Sequence, residues 1–290
     1  MQQRQAIETM RRFNRVVTER VGAIDETFLG RGRPYGETRL LWEIGREGAD
    51  VRDLRGRLGI DAGYASRLLR SLEARGLAEV AESPADRRVR RAHLTREGLA
   101  ERAEIDRLSD QLAVTTLEPL GERQRERLLA AMDEVERLLR ASLITIEVAD
   151  ADSPDGRWCL EQYFAELDRR FDGGFDLGAA LPADLNLPAG LMLLARLHGR
   201  AVGCGGLKFT EQGTEIKRMW VAPEVRGLGL GARLLRELER EAATRGADVV
   251  RLDTNRSLTE AIAMYRRSGY REIPAFTDEP HAHHWFEKRL

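Results

Sequence analysis

The sequence predicts two domains in series, a mainly-α domain followed by an α/β domain, and three observations carry that prediction. The chain has 290 residues, more than one ordinary small core organises and enough for two domains of about 140 residues each. Its texture changes near residue 143. Before that point apolar residues recur at steps of three and four; after it, short β-branched runs alternate with helical stretches. The third observation is a glycine-rich segment, Arg226-Gly227-Leu228-Gly229-Leu230-Gly231, between one such run and a helix. The domains are therefore read as 1–142 and 143–290. Within the second, Ala149-Asp150-Ala151-Asp152-Ser153-Pro154 ends a first strand and restarts a helix, with Ser153 as N-cap and Pro154 in the first turn.

Composition narrows the class. An apolar fraction of 42% can build cores, and 33% charged residues favour solubility. No run approaches the roughly 20 apolar residues of a membrane span. The polar start Met1-Gln2-Gln3-Arg4 reads neither as a signal nor as a transit peptide. Two cysteines, Cys159 and Cys204, are far apart and outside metal-ligand spacing. These features point to a reduced cytoplasmic protein without a disulfide framework. The net charge of −1 excludes a chain that is basic throughout, but nucleic-acid binding needs only a local basic face.

Such a face occurs in the first half. In Val51–Leu58 a short helix turns Leu54 and Leu58 inward and stops at Gly59; Ile60 packs as the turn hydrophobe and Asp61 caps a second helix. That helix buries Ala65, Leu68, Leu69 and Leu72, ends at Gly76, and leaves Gly63, Tyr64, Ser66, Arg67, Arg70 and Ser71 outward. Two helices about a glycine turn form a helix-turn-helix, and small or hydrogen-bonding residues with Arg behind them suit entry into a major groove. A strand at 77–82, a turn Ser83-Pro84-Ala85-Asp86 and a return strand at 87–95 follow, with Arg87, Arg88, Arg90 and Arg91 near the tip. From residue 52 to 96 eleven arginines stand against six acids, as a wing against phosphates or a minor groove requires.

The run D-A-G-Y-A-S-R-L-L-R-S-L-E-A-R-G-L, with the wing D-R-R-V-R-R-A-H-L-T-R-E-G, resembles the MarR family of winged helix-turn-helix transcription regulators over about residues 5–142. The resemblance implies a homodimer on a palindromic double-stranded DNA site. Tyr64 lies on the recognition helix; Ser66, Arg67 and Arg70 would contact bases or phosphates; Arg88 would be the minor-groove arginine, oriented by Asp86. For each arginine the alternative is a solvated surface charge. The helix Gly121–Ser142 carries Leu128, Met132, Val135 and Leu139 in one stripe. With the helices at the N-terminus and at 96–114 it has few partners in one small domain, which favours burial across a two-fold axis over a monomer.

In the second half a strand ends at Val221, a loop carries Pro223 and Arg226, and glycines lead into a helix at 232–244. Backbone amides at such a helix start approach a pyrophosphate, which the helix dipole favours, and Arg226 adds a charged donor. A dinucleotide fold is the competing reading. Its first glycine follows the strand almost at once, whereas Ala222–Arg226 intervenes here.

The run Val221-Ala222-Pro223-Glu224-Val225-Arg226-Gly227-Leu228-Gly229-Leu230-Gly231 resembles the signature V-x-P-x-x-R-G-x-G-x-G/A of the Gcn5-related N-acetyltransferases (GNAT). Leu252-Asp253-Thr254-Asn255, then Ala261, Tyr265, Gly269 and Tyr270, carry its second motif. The resemblance covers about 143–290 and implies the GNAT acyl-CoA N-acyltransferase fold, with acetyl-CoA as co-substrate and a small-molecule amine or amino-acid-like acceptor. It further implies that backbone groups of Met219 and Val221 hold pantetheine, that Arg226, Gly227, Gly229 and Gly231 hold the pyrophosphate, and that Asn255 fixes the cofactor arm. Tyr265 would protonate the leaving thiolate, with core packing as its alternative role.

The base is open. Glu215, Lys217 and Met219 share one face of a regular strand, so Glu215 is either the base, acting through water, or a plain strand carboxylate. His281, His283 and His284 do not form a metal site in this reading, because adjacent residues of an extended segment point apart; no metal is expected, and one of them lines the acceptor pocket. Acceptor selection is assigned to 158–176, where Arg169, Arg170 and Asp176 are candidate contacts. The sequence thus reads as a bifunctional regulator and enzyme. Its alternatives are a regulator whose second domain only senses acyl-CoA or a metabolite, and an enzyme that keeps the winged helix as a dimerisation frame.

Overall fold

The computed structural model describes residues 2–24, 27–82, 87–171, 173–175, 183–211 and 213–290. It divides into two compact units, Met1–Ala131 and Met132–Leu290. The first contains α1 (Gln2–Arg20), α2 (Tyr35–Ile44), β1 (Ala49–Asp50), α3 (Val51–Leu58), α4 (Ala62–Ala74), β2 (Ala78–Glu82), β3 (Arg90–Leu94) and α5 (Arg96–Leu117); α6 (Glu122–Ser142) crosses the division. The strands form an antiparallel sheet in the order β1-β3-β2.

The helix-turn-helix forms for local reasons. Gly59 takes the left-handed conformation that ends α3. Asp61 then caps α4, its carboxylate accepting from the Tyr64 amide at 2.9 Å. Ala65, Leu68, Leu69 and Leu72 of α4 are buried with Leu54 of α3 and Leu40, Leu41 and Ile44 of α2. After α4, Leu77 N donates to Leu72 O and Gly76 N to Glu73 O, so the chain reverses straight into β2. Gly98 is fixed by space. A Cβ there would lie 1.9 Å from the Leu77 carbonyl, so only glycine lets α5 start so close to the strand entry. One sequence expectation is corrected: Ser71 does not point outward, because its hydroxyl donates to Glu37 of α2 at 2.8 Å.

Helix α6 buries none of its side chains, and Leu129, Met132, Leu138 and Leu139 are exposed. In α1 the same holds for Ile7, Met10, Phe13, Val16 and Val17. No helix among the described residues is long and apolar enough to cross a membrane.

The second unit adds β4 (Thr145–Ala149), α7 (Pro154–Arg170), β5 (Gly190–Leu197), β6 (Arg200–Thr210), β7 (Gly213–Val221), α8 (Leu230–Thr244), β8 (Val249–Thr254), α9 (Thr259–Arg267), β9 (Arg271–Ile273) and β10 (His284–Arg289). The sheet order is β4-β5-β6-β7-β8-β10-β9, and β7 and β8 alone among these neighbours run parallel. Ser153 caps α7 through its hydroxyl, which accepts from Gly156 N at 3.1 Å, with Pro154 in the first turn. Residues 190–195 of β5 are all buried, the continuous apolar run of a strand covered on both faces.

Two features of the sheet make an opening. The β7–β8 ladder is two pairs long, Thr214 with Val250 and Glu215 with Arg251, after which the strands part. Gly206 opposes Lys217 and Cys204 opposes Trp220, so Arg218 and Met219 together face Gly205 in a β-bulge, with Arg218 at a φ of 55°.

Candidate functional site

Two cavities of about 500 and 480 Å³ occupy the second unit and share the side chains of Tyr163, Leu167, Met219, Leu258, Ala261 and Tyr265. One follows the loop from Val221 to Ala232 and is termed the loop cleft; the other is walled by aromatic rings and is termed the aromatic cavity.

In the loop cleft Gly227 and Gly229 adopt φ of 80° and 75°, and Gly229 is the N-cap of α8 without a side chain to cap it. The first helical bond runs from Arg233 N to Gly229 O, which leaves the amides of Leu230, Gly231 and Ala232 as donors with no intrahelical acceptor. At Gly231 a Cβ would stand 3.1 Å from the Met264 sulfur, so a larger residue would require the Met264 side chain to give way. Arg226 donates to Val221 O at 2.9 Å and pairs with Glu166. Glu166 is the organiser that sequence reading missed: it also accepts from Trp220 Nε1 at 3.0 Å and from Arg170 at 3.3 Å. Burial alone would raise its carboxyl, but Arg226, with Trp220 and Arg170, outweighs burial and holds it below the usual range. Its i,i+4 spacing to Arg170 was the available signal.

Tyr265 lies at the junction, 6% exposed, with its hydroxyl 3.9 Å from the Met219 sulfur. Burial, reinforced by the Asp253 charge, raises the phenol well above its ordinary value, as burial also does for Tyr163. Glu215 is buried and does not line either cavity; it bonds Lys217 at 3.1 Å, and Lys217 also pairs with Asp253, which does line the aromatic cavity. Burial pushes the Lys217 ammonium toward release of its proton, but Asp253 and Glu215 outweigh it and the group stays charged above its ordinary value. The expectation that Glu215, Lys217 and Met219 share a face holds only as far as Lys217. The bulge at Arg218 resets the alternation and sends Met219 toward Gly205 and Tyr265.

Val221 lines the loop cleft with Met219. Asn255 lines the aromatic cavity, and its amide is engaged at both ends, donating to His281 O at 2.7 Å and accepting from Ser257 N at 2.9 Å. The arm-fixing role read for it from sequence finds this amide in use by the protein itself. Tyr163, Phe164, Phe171 and Phe175 form the aromatic wall, with Leu167 also in the lining, and His281 packs on it at 4.9 Å from Phe175. Of the acceptor candidates, Arg170 belongs to the loop cleft, Arg169 is exposed and donates to Ala165 O, and Asp176 lies outside the described residues. No three His, Cys, Asp or Glu side chains converge as a metal site among the described residues.

In the first unit Tyr64, Arg67 and Arg70 are exposed on α4 and Ser66 is half-buried. The Arg67 guanidinium lies over the Tyr64 ring at 5.5 Å, and Arg70 Nε donates to Ser66 O at 3.2 Å. Arg87, Arg88 and Arg90 are exposed, whereas Arg91 donates to Glu47 O at 3.1 Å. The turn 83–86, and with it the expected partner Asp86, lies outside the described residues.

Comparison with known proteins finds a family match in each half of the chain. The profile of the Acetyltransferase (GNAT) family matches residues 150–270, and that of the MarR family matches residues 31–89. An IAA acetyltransferase of Azospirillum brasilense is 35% identical over 126 residues, covering 40% of this chain and 78% of that protein. An uncharacterised N-acetyltransferase of Schizosaccharomyces pombe is 34% identical over 137 residues, 46% of this chain and 81% of its own length. The apo crystal structure of wild-type MarR from Escherichia coli aligns at a TM-score of 0.39 with 20% identity, covering 43% of this chain and 94% of that one.

Proposed function

Because the chain belongs to the GNAT acetyltransferase family through its second half and carries a MarR family region in its first, we propose that it is bifunctional. It acts as a DNA-binding transcription regulator and as an acetyl-CoA-dependent N-acetyltransferase of a small amine or amino-acid-like acceptor. The observation that carries the enzymatic reading is the meeting of two cavities at Tyr265 and Met219, one floored by unsatisfied helix amides and the other by charged and aromatic side chains. A thioester delivered along the first meets an amine in the second.

The residues have separate tasks. Arg226, Gly227, Gly229 and Gly231 receive the pyrophosphate, Arg226 exchanging its Glu166 contact for it. The edge of β7 that leaves β8 offers Met219 and Val221 to pantetheine. Asn255 acts by fixing the strand end around which the arm bends. The Lys217-bridged carboxylates of Asp253 and Glu215 collect the amine proton, Asp253 at the wall and Glu215 behind it. The free amine attacks the thioester carbonyl; the new C–N bond forms, the C–S bond breaks, and sulfur takes the Tyr265 proton. The acceptor ammonium sheds two protons, one to solvent and one that replaces the proton of Tyr265.

For the regulator half, the supporting feature is the exposed α4 face with Arg67, Arg70 and the wing arginine Arg88, on a homodimer whose two-fold places both recognition helices on one palindrome. The unburied apolar stripes of α1 and α6 support that dimer. The test is release of free CoA from acetyl-CoA across an amine panel, with DNA binding followed on the same preparation. Saturable CoA release with at least one amine is expected. Tight acetyl-CoA binding without turnover of any amine would replace the enzyme by a sensor.

A further inference from the structure

The charged side chains of the aromatic cavity are not scattered. Asp184, Lys208, Lys217, Arg218 and Asp253 of its lining join, with the buried Glu215 behind them, in two triads of opposite net charge. In one, Asp184 bonds Arg218 at 2.9 Å and Lys208 at 3.3 Å, one carboxylate between two cations. In the other, Lys217 bonds Glu215 at 3.1 Å and Asp253 as well, one cation between two carboxylates. The triads are adjacent, since Lys208 and Glu215 oppose each other across β6 and β7 and Lys217 and Arg218 are consecutive. Opposed residues in such a ladder lie about 5 Å apart. The net negative triad acts on the chemistry, since the Asp253 charge is felt at Tyr265.

We propose that the cavity binds a zwitterionic amino acid with an aromatic side chain, its ammonium at Asp253, its carboxylate at Lys208 and Arg218, and its ring against the wall of Phe164, Phe171, Phe175 and His281. This rests on the acetyltransferase reading, in which that ammonium is the acetyl acceptor. The charge balance supports the choice. The charged residues lining the cavity apart from His281 are Asp184, Asp253 and the exposed Glu279 against Lys208, Lys217 and Arg218, three of each sign, so neither a polycation nor a polyanion is matched. The wall is organised for a flat ring: Phe164 and Phe175 stack at 5.8 Å and 15°, and Phe171 and Phe175 both pack on His281, at 5.6 and 4.9 Å. The Arg218 guanidinium sits 5.9 Å over Phe164, so the carboxylate and ring subsites adjoin.

Calorimetry on the full chain saturated with CoA tests binding apart from turnover, with L-phenylalanine, its amide, phenethylamine and L-alanine as probes. Phenylalanine should bind at least tenfold tighter than the amide or phenethylamine, which lack the carboxylate, and tighter than alanine, which lacks the ring. Lys208→Met, at a half-buried site on the cavity rim, should abolish most of the preference for phenylalanine over its amide, and Lys208→Arg should restore it. Equal binding of phenylalanine and phenethylamine, or no binding of phenylalanine at all, overturns the proposal. Selective phenylalanine binding with no CoA released from acetyl-CoA leaves the amino-acid site standing and overturns the acetyltransferase reading instead.

Discussion

The hydroxyl of Tyr265 points at the sulfur of Met219 across 3.9 Å, and both side chains line the loop cleft and the aromatic cavity alike. That contact is weak as a hydrogen bond, so the phenol is buried without being strongly engaged and can redirect its proton. Tyr265→Phe keeps the ring and its packing against Tyr270 and Phe286. Turnover should fall about 10²–10⁴-fold in kcat, with acetyl-CoA affinity nearly unchanged. Equal kcat in both proteins would remove Tyr265 from the reaction.

The raised phenol predicts a pH profile. A tyrosine in water loses its proton near pH 10, whereas burial and Asp253 keep Tyr265 protonated to higher pH. The rate should therefore rise as the acceptor amine is deprotonated and stay level through pH 10. An alkaline limb centred near 10, present in wild type and absent in Tyr265→Phe, would show an unshifted phenol and contradict the burial argument.

At Gly229 two variants separate backbone strain from blockade. A Cβ there meets nothing within 4 Å, but φ is 75°. Gly229→Ala should cost about 1 kcal/mol of stability from the left-handed backbone and weaken acetyl-CoA modestly. Gly229→Glu adds a negative charge at the helix start and should reduce acetyl-CoA binding far more, with thermal stability close to that of the alanine variant. Calorimetry and melting curves on the two proteins decide it.

Much of this fold is legible because its signals are local. Asp61 and Ser153 as caps, Gly59 and Gly76 as stops, and the buried set of α4 all follow from neighbouring residues, and the structure keeps each. The glycine loop is legible for the same reason. What escapes is set by tertiary pairing. The bulge at Arg218 depends on the register of β6 against β7, and no feature of β7 alone announces it. Glu166 acquires its role only when α7 lies against Trp220 and Arg226. Asp253 reads as one residue of a strand end until the topology brings it to Lys217. Ser71 looked outward because helical period was counted without knowing that α2 brings Glu37 alongside.

A partly buried ion cluster in the first unit carries a stability prediction. Glu101 of α5 accepts from Arg31 Nε at 2.8 Å and pairs with Arg33, which is 5% exposed. The Arg31 hydrogen bond, with the Arg33 charge, outweighs burial and lowers the Glu101 carboxyl. A lowered folded value means the contribution is complete above the unfolded value of 4.5 and disappears as pH falls through the folded one. Glu101→Gln should destabilise α5 by about 2–3 kcal/mol at pH 7, with the gap to wild type closing in acid below pH 4.5. Hydrogen exchange of the α5 amides reads this locally; a gap that stays constant with pH would assign the loss to packing.

The last prediction concerns DNA and separates two classes of arginine. Arg67 lies on α4 over Tyr64, within the helix read as the groove reader, whereas Arg88 lies beyond β2 near the wing tip. A cation that neutralises one phosphate or sits in a minor groove adds about 0.9 to the slope of log affinity against log salt. Arg88→Ala should thus weaken binding to all sequences about equally and reduce that slope by about one. Arg67→Ala should cost about 1–3 kcal/mol on a palindrome selected from a random pool and much less on unrelated DNA, since base contacts discriminate and phosphate contacts do not. Both variants leave the buried face of α4 intact, so folding and acetyl-CoA binding serve as controls. If Arg88→Ala leaves affinity and salt slope unchanged, the wing does not touch DNA. If Arg67→Ala weakens specific and unrelated DNA alike, α4 contacts backbone and not base edges.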